Sequence, residues 1–425
     1  MKKIFNSFIS ILIASLIITP FSKAYTPTPV EVANQSGYQI GLGFQPEGAI
    51  QISHTGQVLY EFQINNEWPP ASMSKLMTMY LVLEAEKEGK LSLNDTIKIT
   101  DDHYRMSTLP ELSNTKLYPG ETYTIKELLQ ICVSASSNAA ALILATEVSE
   151  TRSDFTDKMN AKAKKIGMKH THYVNPAGAS NRLLQNYAPE GYINEEYATT
   201  TAKDYAILAQ RAVSDTPKII DFTKQVAPTQ HGVTYYTYNH SLEGGNMSLE
   251  GTDGLKTGSS DVADYNHAIT TKRDGLRIYQ IILGAGDYEY LGGEKERNKI
   301  GNSLMNNAFN QYKRIKIFSE GVHTINDKKY YVSQDFYDIL PVNMTKKDVK
   351  YVIEDDRLHI DYERTFISDA YGPPTVKLEQ PIIKASKTRV LSLWESHPIL
   401  TIALGTGIII VLAVILKWLF KRVRK

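Results

Sequence analysis

Three short runs of residues hold the chemistry this chain could perform: Ser72-Met73-Ser74-Lys75, Ser136-Ser137-Asn138 and Lys256-Thr257-Gly258. In the first, a hydroxyl and an amine stand three residues apart, a spacing that puts them on one helix face, one turn apart. A serine hydroxyl is a weak nucleophile until a base takes its proton. A lysine desolvated among polar and cationic neighbours is neutral often enough to act as that base. Pro69 and Pro70 precede the run, and residues 76–90 are good helix formers with apolar Met73, Leu76, Met77 and Tyr80 in register. Ser72 is therefore expected in the first turn of a helix. There the unpaired N–H groups and the positive dipole end favour the negative charge that develops on an attacked carbonyl.

Each run alone is weak. A second serine–lysine pair, Ser113-Asn114-Thr115-Lys116, runs into Tyr118-Pro119-Gly120, a turn signal, and is read as surface loop. Ser136 and Asn138 fall in 128–142, a helix end or loop, and Lys256-Thr257-Gly258 reads as the opening of a strand. The specificity lies in the conjunction and its order. It resembles the active-site-serine penicillin-recognising enzymes, whose signature is S-x-x-K, S-D-N or a variant, and K-T-G, with S-S-N here in place of S-D-N. Within that superfamily the chain is similar to the low-molecular-mass D-alanyl-D-alanine carboxypeptidases, most closely their staphylococcal members, through "PPASMSKLMT", "LPELSNTKLYPG", "SSNAAALIL", "NPAG" and "GTDGLKTGSS".

The resemblance implies roles. Ser72 would be acylated, with Lys75 as its base, and Ser136 would relay a proton to the leaving amine in a network tuned by Lys256. Asn138 would hold the substrate amide, Thr257 the terminal carboxylate, and Gly258 would let the backbone come close. The N–H groups of Ser72 and Ser259 would form the oxyanion hole. The implied partners are peptidoglycan stem peptides, cleaved or cross-linked through the acyl-enzyme, and β-lactam antibiotics, which acylate the same serine. No cofactor is implied. The implied fold is α+β: a penicillin-binding, serine β-lactamase-like domain with an antiparallel sheet flanked by helices and a helical region beside it.

Other chemistries fit less well. A zinc peptidase needs H-E-x-x-H or a similar cluster, whereas His170 and His172 have no acidic neighbour in sequence and read as loop residues, so no metal is expected. A β-lactamase would need a deacylating glutamate between the second and third runs. Glu190, Glu195 and Glu196 lie there without the L-N that follows in such enzymes, and Glu111 falls too early. A membrane-anchored β-lactamase and a penicillin sensor without turnover are the alternatives. A net charge of +1 over 425 residues implies no nucleic-acid partner. Cys132 is the sole cysteine, so no intrachain disulfide forms, and in "LLQICV" it reads as a small buried hydrophobe.

The surrounding elements follow from pattern. Residues 49–53 and 57–62 alternate about His54-Thr55-Gly56 as a hairpin, 264–271 and 276–283 form another, and 298–312 closes as a helix. Strands from both ends of the catalytic segment, 25–315, should meet in one sheet. Residues 316–383 are rich in short β runs and read as a small all-β domain without a chemical motif. Lys2, Lys3, the apolar stretch 8–18 and Ser22-Lys23-Ala24 read as a signal peptide, 1–24. Residues 384–398 read as a stalk and 399–420 as a C-terminal transmembrane helix, followed by a basic tail, 421–425, that the positive-inside rule puts in the cytoplasm. The catalytic domain would then face outward from the cell membrane.

Overall fold

The computed structural model describes residues 25–290, 292–381, 402 and 409–417. The expected signal segment, stalk and basic tail lie outside these residues, as does most of the expected span. Among the described residues no helix is long and apolar enough to cross a membrane.

Five antiparallel strands form the main sheet: β1 (Gly48–Ser53), β2 (Val58–Phe62), β3 (Thr252–Ser260), β4 (Asp264–Arg273) and β5 (Leu276–Ala285), in the order β2-β1-β5-β4-β3. Both expected hairpins are present, and strands from the two ends of the segment pair directly, Ile50 facing Ile281. One face packs under the short helix Pro29–Gln35 and the long helix Gly293–Gln311. That long helix begins five residues before the expected Asn298 and runs straight into a strand at Tyr312.

The other face carries the helical region. Its central helix, α1 (Lys75–Lys87), is apolar on nearly every side, with Leu76, Met77, Met79, Tyr80, Val82 and Leu83 at most 1% exposed. Such a helix lies inside a domain and not on its surface. Helices α2 (Ile125–Ser134), α3 (Asn138–Val148) and α4 (Ala202–Asp215) surround it in one continuous apolar core. A capping box of Thr124 and Glu127 starts α2, and Ser137 accepts from the Ala140 N–H to start α3. The second sequence run is thus the junction between two helices.

The C-terminal part is all-β, as its texture suggests. Tyr312–Phe318 pairs with Phe336–Pro341, and a five-stranded antiparallel sheet from Gly321–Ile325 to Val376–Glu379 closes over its own core of Ile317, Val332, Leu340, Leu358 and Ile360. It is joined to the catalytic part by more than a linker. Val58 N–H donates to the Thr365 carbonyl, Ile367 N–H to the Gly56 carbonyl, and Ile367 itself enters the main core.

Candidate active site

Ser72 sits in a 3-10 turn, Ala71–Ser74, that leads into α1. Asn266 of β4 fastens this turn to the sheet, its Nδ2 donating to the Pro69 carbonyl at 2.9 Å while its Oδ1 accepts from the Gly284 N–H at 2.8 Å. Lys256-Thr257-Gly258 lies in the middle of β3, not at its opening, because pairing with β4 continues from Thr252 to Ser260. Gly258 is required there. A Cβ at this position would stand 2.5 Å from the Pro70 carbonyl oxygen and 3.1 Å from the Ser72 nitrogen. The serine turn and the strand are in backbone contact as a result, with Ser259 next in line.

Ser136 occupies the left-handed region, φ +55°, at the α2–α3 junction. A non-glycine residue held there is strained and persists only where its surroundings enforce it. Ala71, next to Ser72, has φ +47°. The Ser72 and Ser136 hydroxyls are therefore each presented beside or on constrained backbone.

Hydrogen bonds then join the three runs. Lys75 Nζ lies 2.8 Å from Ser72 Oγ, 2.8 Å from Asn138 Oδ1 and 2.8 Å from the Ala177 carbonyl oxygen. Lys256 Nζ donates to Ser136 Oγ and to the Thr257 carbonyl, each at 2.9 Å. Both lysines are buried, Lys75 at 0% and Lys256 at 2% exposed, and neither has a carboxylate partner in the described residues. Burial, and then the neighbouring Lys256 charge, hold Lys75 well below the ordinary lysine value. Lys256 is lowered to about 8, chiefly by burial, with the fully buried Arg297 adding repulsion. Burial pushes the Cys132 thiol up to about 11, so it is a neutral core side chain.

Two arms of one cleft open from this centre. One, of about 370 Å³, runs past Ser72, Asn138, Gly178, Arg182, Tyr197 and Asp261. The other, of about 530 Å³, runs past Ser72, Ser136, Thr257, Tyr238, Tyr290 and Glu294. Ser72, Ser113, Ser259 and Tyr288 line both. This arrangement can deprotonate a serine hydroxyl, hold an anion beside Lys256, and admit chains from two directions.

Sequence reasoning misjudged some residues and missed others. The loop of Ser113 and Asn114 is more than surface, since the Ser113 carbonyl accepts from both N–H and Nδ2 of Asn138, and Asn114 Oδ1 accepts from the Ala139 N–H. His170 and His172 do have acidic partners, Glu67 at 3.3 Å and Glu195 at 2.7 Å, brought in by the fold. Among the described residues no group of three or more His, Cys, Asp or Glu could hold a metal. Glu111 lines the cleft despite its early position, while Glu190, Glu195 and Glu196 are absent from both arms. Asn175 and Ala177 fall in the run "NPAG", which the sequence marks only as part of the resemblance and without a role, and Asn266 is not singled out at all. The Asn-Pro…Gly turn at 175–178 was the available signal for the first two.

The comparisons with known proteins agree with this geometry. A model of the peptidase S11 family, described as D-alanyl-D-alanine carboxypeptidase, matches residues 47–287. The chain belongs to that family. Among S11 relatives, the D-alanyl-D-alanine carboxypeptidase DacF of Bacillus subtilis is 29% identical over 319 residues, 72% of this chain and 73% of DacF. The penicillin-binding protein PBP3 of Streptococcus pneumoniae, a peptidoglycan synthesis regulatory factor, superposes with TM-score 0.69 at 28% identity, over 78% of this chain and 97% of that one. Penicillin-binding protein D2 of Listeria monocytogenes, solved with cefotaxime bound, is 29% identical with TM-score 0.51, over 64% and 99% of the two chains. The S11 match ends before the all-β part, where residues 313–379 match a domain family of unknown function.

Proposed function

We propose that this S11 enzyme is a serine D-alanyl-D-alanine carboxypeptidase and transpeptidase of peptidoglycan stem peptides, with Ser72 as nucleophile, and that β-lactams acylate the same residue. The observation that carries the reading is the 2.8 Å contact between Ser72 Oγ and a fully buried Lys75 that has no carboxylate to keep it charged. Ser72 Oγ attacks the penultimate D-alanine carbonyl as its proton passes to Lys75. The carbonyl oxygen receives hydrogen bonds from the Ser72 and Ser259 N–H groups. The C–N bond then breaks, Ser136 passes a proton to the departing amine, and Lys256 and Thr257 hold its carboxylate. Asn138 holds the donor's amide. Water, or the amine of a second stem, attacks the ester and restores Ser72.

The same reading makes the enzyme extracellular and membrane-anchored, with residues 1–24 as signal peptide and 399–420 as the span. Support comes from the uncharged stretch 399–416 followed by Lys417, Lys421, Arg422, Arg424 and Lys425.

The test is mass spectrometry of the purified full-length protein with a pentapeptide ending in D-Ala-D-Ala, with and without an amine acceptor. Free D-alanine, a joined product and a penicillin adduct on the Ser72 peptide are expected, and Ser72→Ala should lose all three. An adduct on Ser113, or D-alanine release by Ser72→Ala, would refute the assignment.

A further inference from the structure

The three partners of Lys75 Nζ are not equivalent. The Ala177 carbonyl only accepts. Asn138 also accepts here, because its Nδ2 donates to the Ser113 carbonyl at 2.9 Å and so turns Oδ1 toward the lysine. Ser72 Oγ alone can donate. An uncharged amine has two N–H bonds and one lone pair. Once the two carbonyl oxygens take the N–H bonds, the lone pair is left for the Ser72 hydroxyl proton.

Asn138 has a role implied by its run, but the Ala177 carbonyl has none. It is delivered by the turn Asn175-Pro176-Ala177-Gly178. Asn175 is fully buried and holds the turn from inside, with Oδ1 accepting from the N–H groups of Ala177 (3.0 Å) and Gly178 (2.7 Å). Its Nδ2 donates to the Ala179 carbonyl and to Asn181 Oδ1, at 2.7 and 2.8 Å. The turn is also fastened to the helix that carries Lys75. Thr78, one helical turn beyond Lys75, donates from Oγ1 to the Pro176 carbonyl at 2.7 Å. Gly178, at φ +72°, lies so close to the serine turn that a Cβ would sit 2.0 Å from the Ala71 carbonyl oxygen.

We propose that Asn175 is a positioning residue for acylation: it folds the 175–178 turn so that the Ala177 carbonyl and Asn138 take both N–H bonds of neutral Lys75 and aim its lone pair at Ser72. The proposal rests on the reading of Lys75 as base. It predicts a loss in rate and not in binding, since a misplacement of about 1 Å in a reacting pair costs on the order of 10²-fold.

The experiment is stopped-flow acylation of the full-length protein by a fluorescent penicillin, resolving the pre-acylation binding constant, the acylation rate constant and the labelled fraction across pH. Asn175→Ala should label to completion with a rate constant down about 10- to 100-fold at every pH, and with binding within about threefold of wild type. Thr78→Val, which removes only the brace to Pro176, should lower the rate constant several-fold in the same way and decides the matter if Asn175→Ala does not fold. A labelled fraction that falls while the rate of the active remainder is unchanged would make Asn175 merely structural and overturn the proposal. So would wild-type rate constants in both variants. Lys75→Ala, run alongside, separates the two levels: if it acylates normally, the reading of Lys75 falls, whereas its loss beside a wild-type Asn175→Ala sinks this proposal alone.

Discussion

In the C-terminal domain Arg364 has a side chain 4% exposed and lies against Asp338, at 0%, through two guanidinium–carboxylate hydrogen bonds of 2.8 and 3.0 Å. In the cleft Lys75 and Lys256 are as deeply buried, yet they face hydroxyls and carbonyls. The contrast separates two uses of a buried cation. A guanidinium paired in a fork with a carboxylate stays charged and fixes the chain, here joining the all-β domain to Gln57 of the catalytic part. An amine buried without a counter-charge has its proton loosened, and a loosened proton is what a general base needs. A carboxylate paired with Lys75 would convert the second kind of site into the first.

The largest effects should come from removing one cation of each kind. Lys75→Met should lower penicillin acylation by about 10³-fold or more, since Ser72 would lose the base proposed for it, while the unfolding midpoint at neutral pH stays level or rises. Arg364→Met should do the reverse. It leaves Asp338 buried and unpaired, at a cost of about 3–5 kcal/mol of stability, with the acylation rate of the folded fraction unchanged. Denaturant unfolding and stopped-flow labelling of both variants check the pair of statements, and an exchange of the two phenotypes would break the comparison.

Supplying the missing carboxylate should sharpen it. Cys132 is fully buried and near enough to both Lys75 and Lys256 that a charge placed there would act on them. Cys132→Asp should raise the Lys75 pKa and move the acid limb of the acylation profile to higher pH. The rate at pH 7 should fall about tenfold for each unit by which that pKa comes to exceed 7. Cys132→Asn, similar in shape without the charge, should leave the limb in place. A limb that moves equally in both variants would assign the change to packing.

The Lys256 value of about 8 gives a pH dependence with a definite sign. A lysine lowered on folding binds fewer protons folded than unfolded between about pH 8 and its ordinary value near 10.4, so stability contributed by this group rises with pH across that window. Below pH 8 it is buried as a cation and the full penalty, on the order of 3 kcal/mol, is present. Lys256→Met should therefore exceed wild type in unfolding free energy at pH 7, with the difference shrinking toward pH 10. In activity, deprotonation of Lys256 should weaken substrates with a free terminal carboxylate above pH 8. An amidated analogue should show no such alkaline limb, and an identical limb in both would leave Lys256 without its assigned role.

What could be read in the sequence was local. The hairpins at 49–62 and 264–283 and the start of the Ser72 helix are set by periodicity and turn chemistry within a few residues. Pairing across long separations was not legible. Lys75 meets the Ala177 carbonyl 102 positions away, Asn138 meets Ser113 25 positions earlier, and His170 meets Glu67 103 positions back. Backbone carbonyls are a particular blind spot, because any residue can supply one and residue type does not mark it. The joint between the two parts escaped because Arg364 and Tyr371 reach Gln57 and Gln210 across 307 and 161 positions, from a segment read only as a small all-β domain without a chemical motif.

That joint yields the smallest effect. The Tyr371 ring lies over Gly56, where an added Cβ would come within 2.3 Å of it, and its hydroxyl donates to Gln210 Oε1 of α4 at 2.8 Å. The Arg364–Asp338 pair holds the domain from within, whereas this contact reaches across to a catalytic-domain helix with one neutral hydrogen bond. Tyr371→Phe keeps the ring and removes that bond, so it should cost about 1 kcal/mol, while penicillin acylation stays at wild-type rate. Gly56→Ala should cost more, because the glycine is at φ +81° and the new methyl would displace the ring. Chemical denaturation would show whether the two parts still unfold together. A single transition in Tyr371→Phe and two in Gly56→Ala would place the coupling in the ring's packing, and two transitions already in Tyr371→Phe would place it in the hydrogen bond.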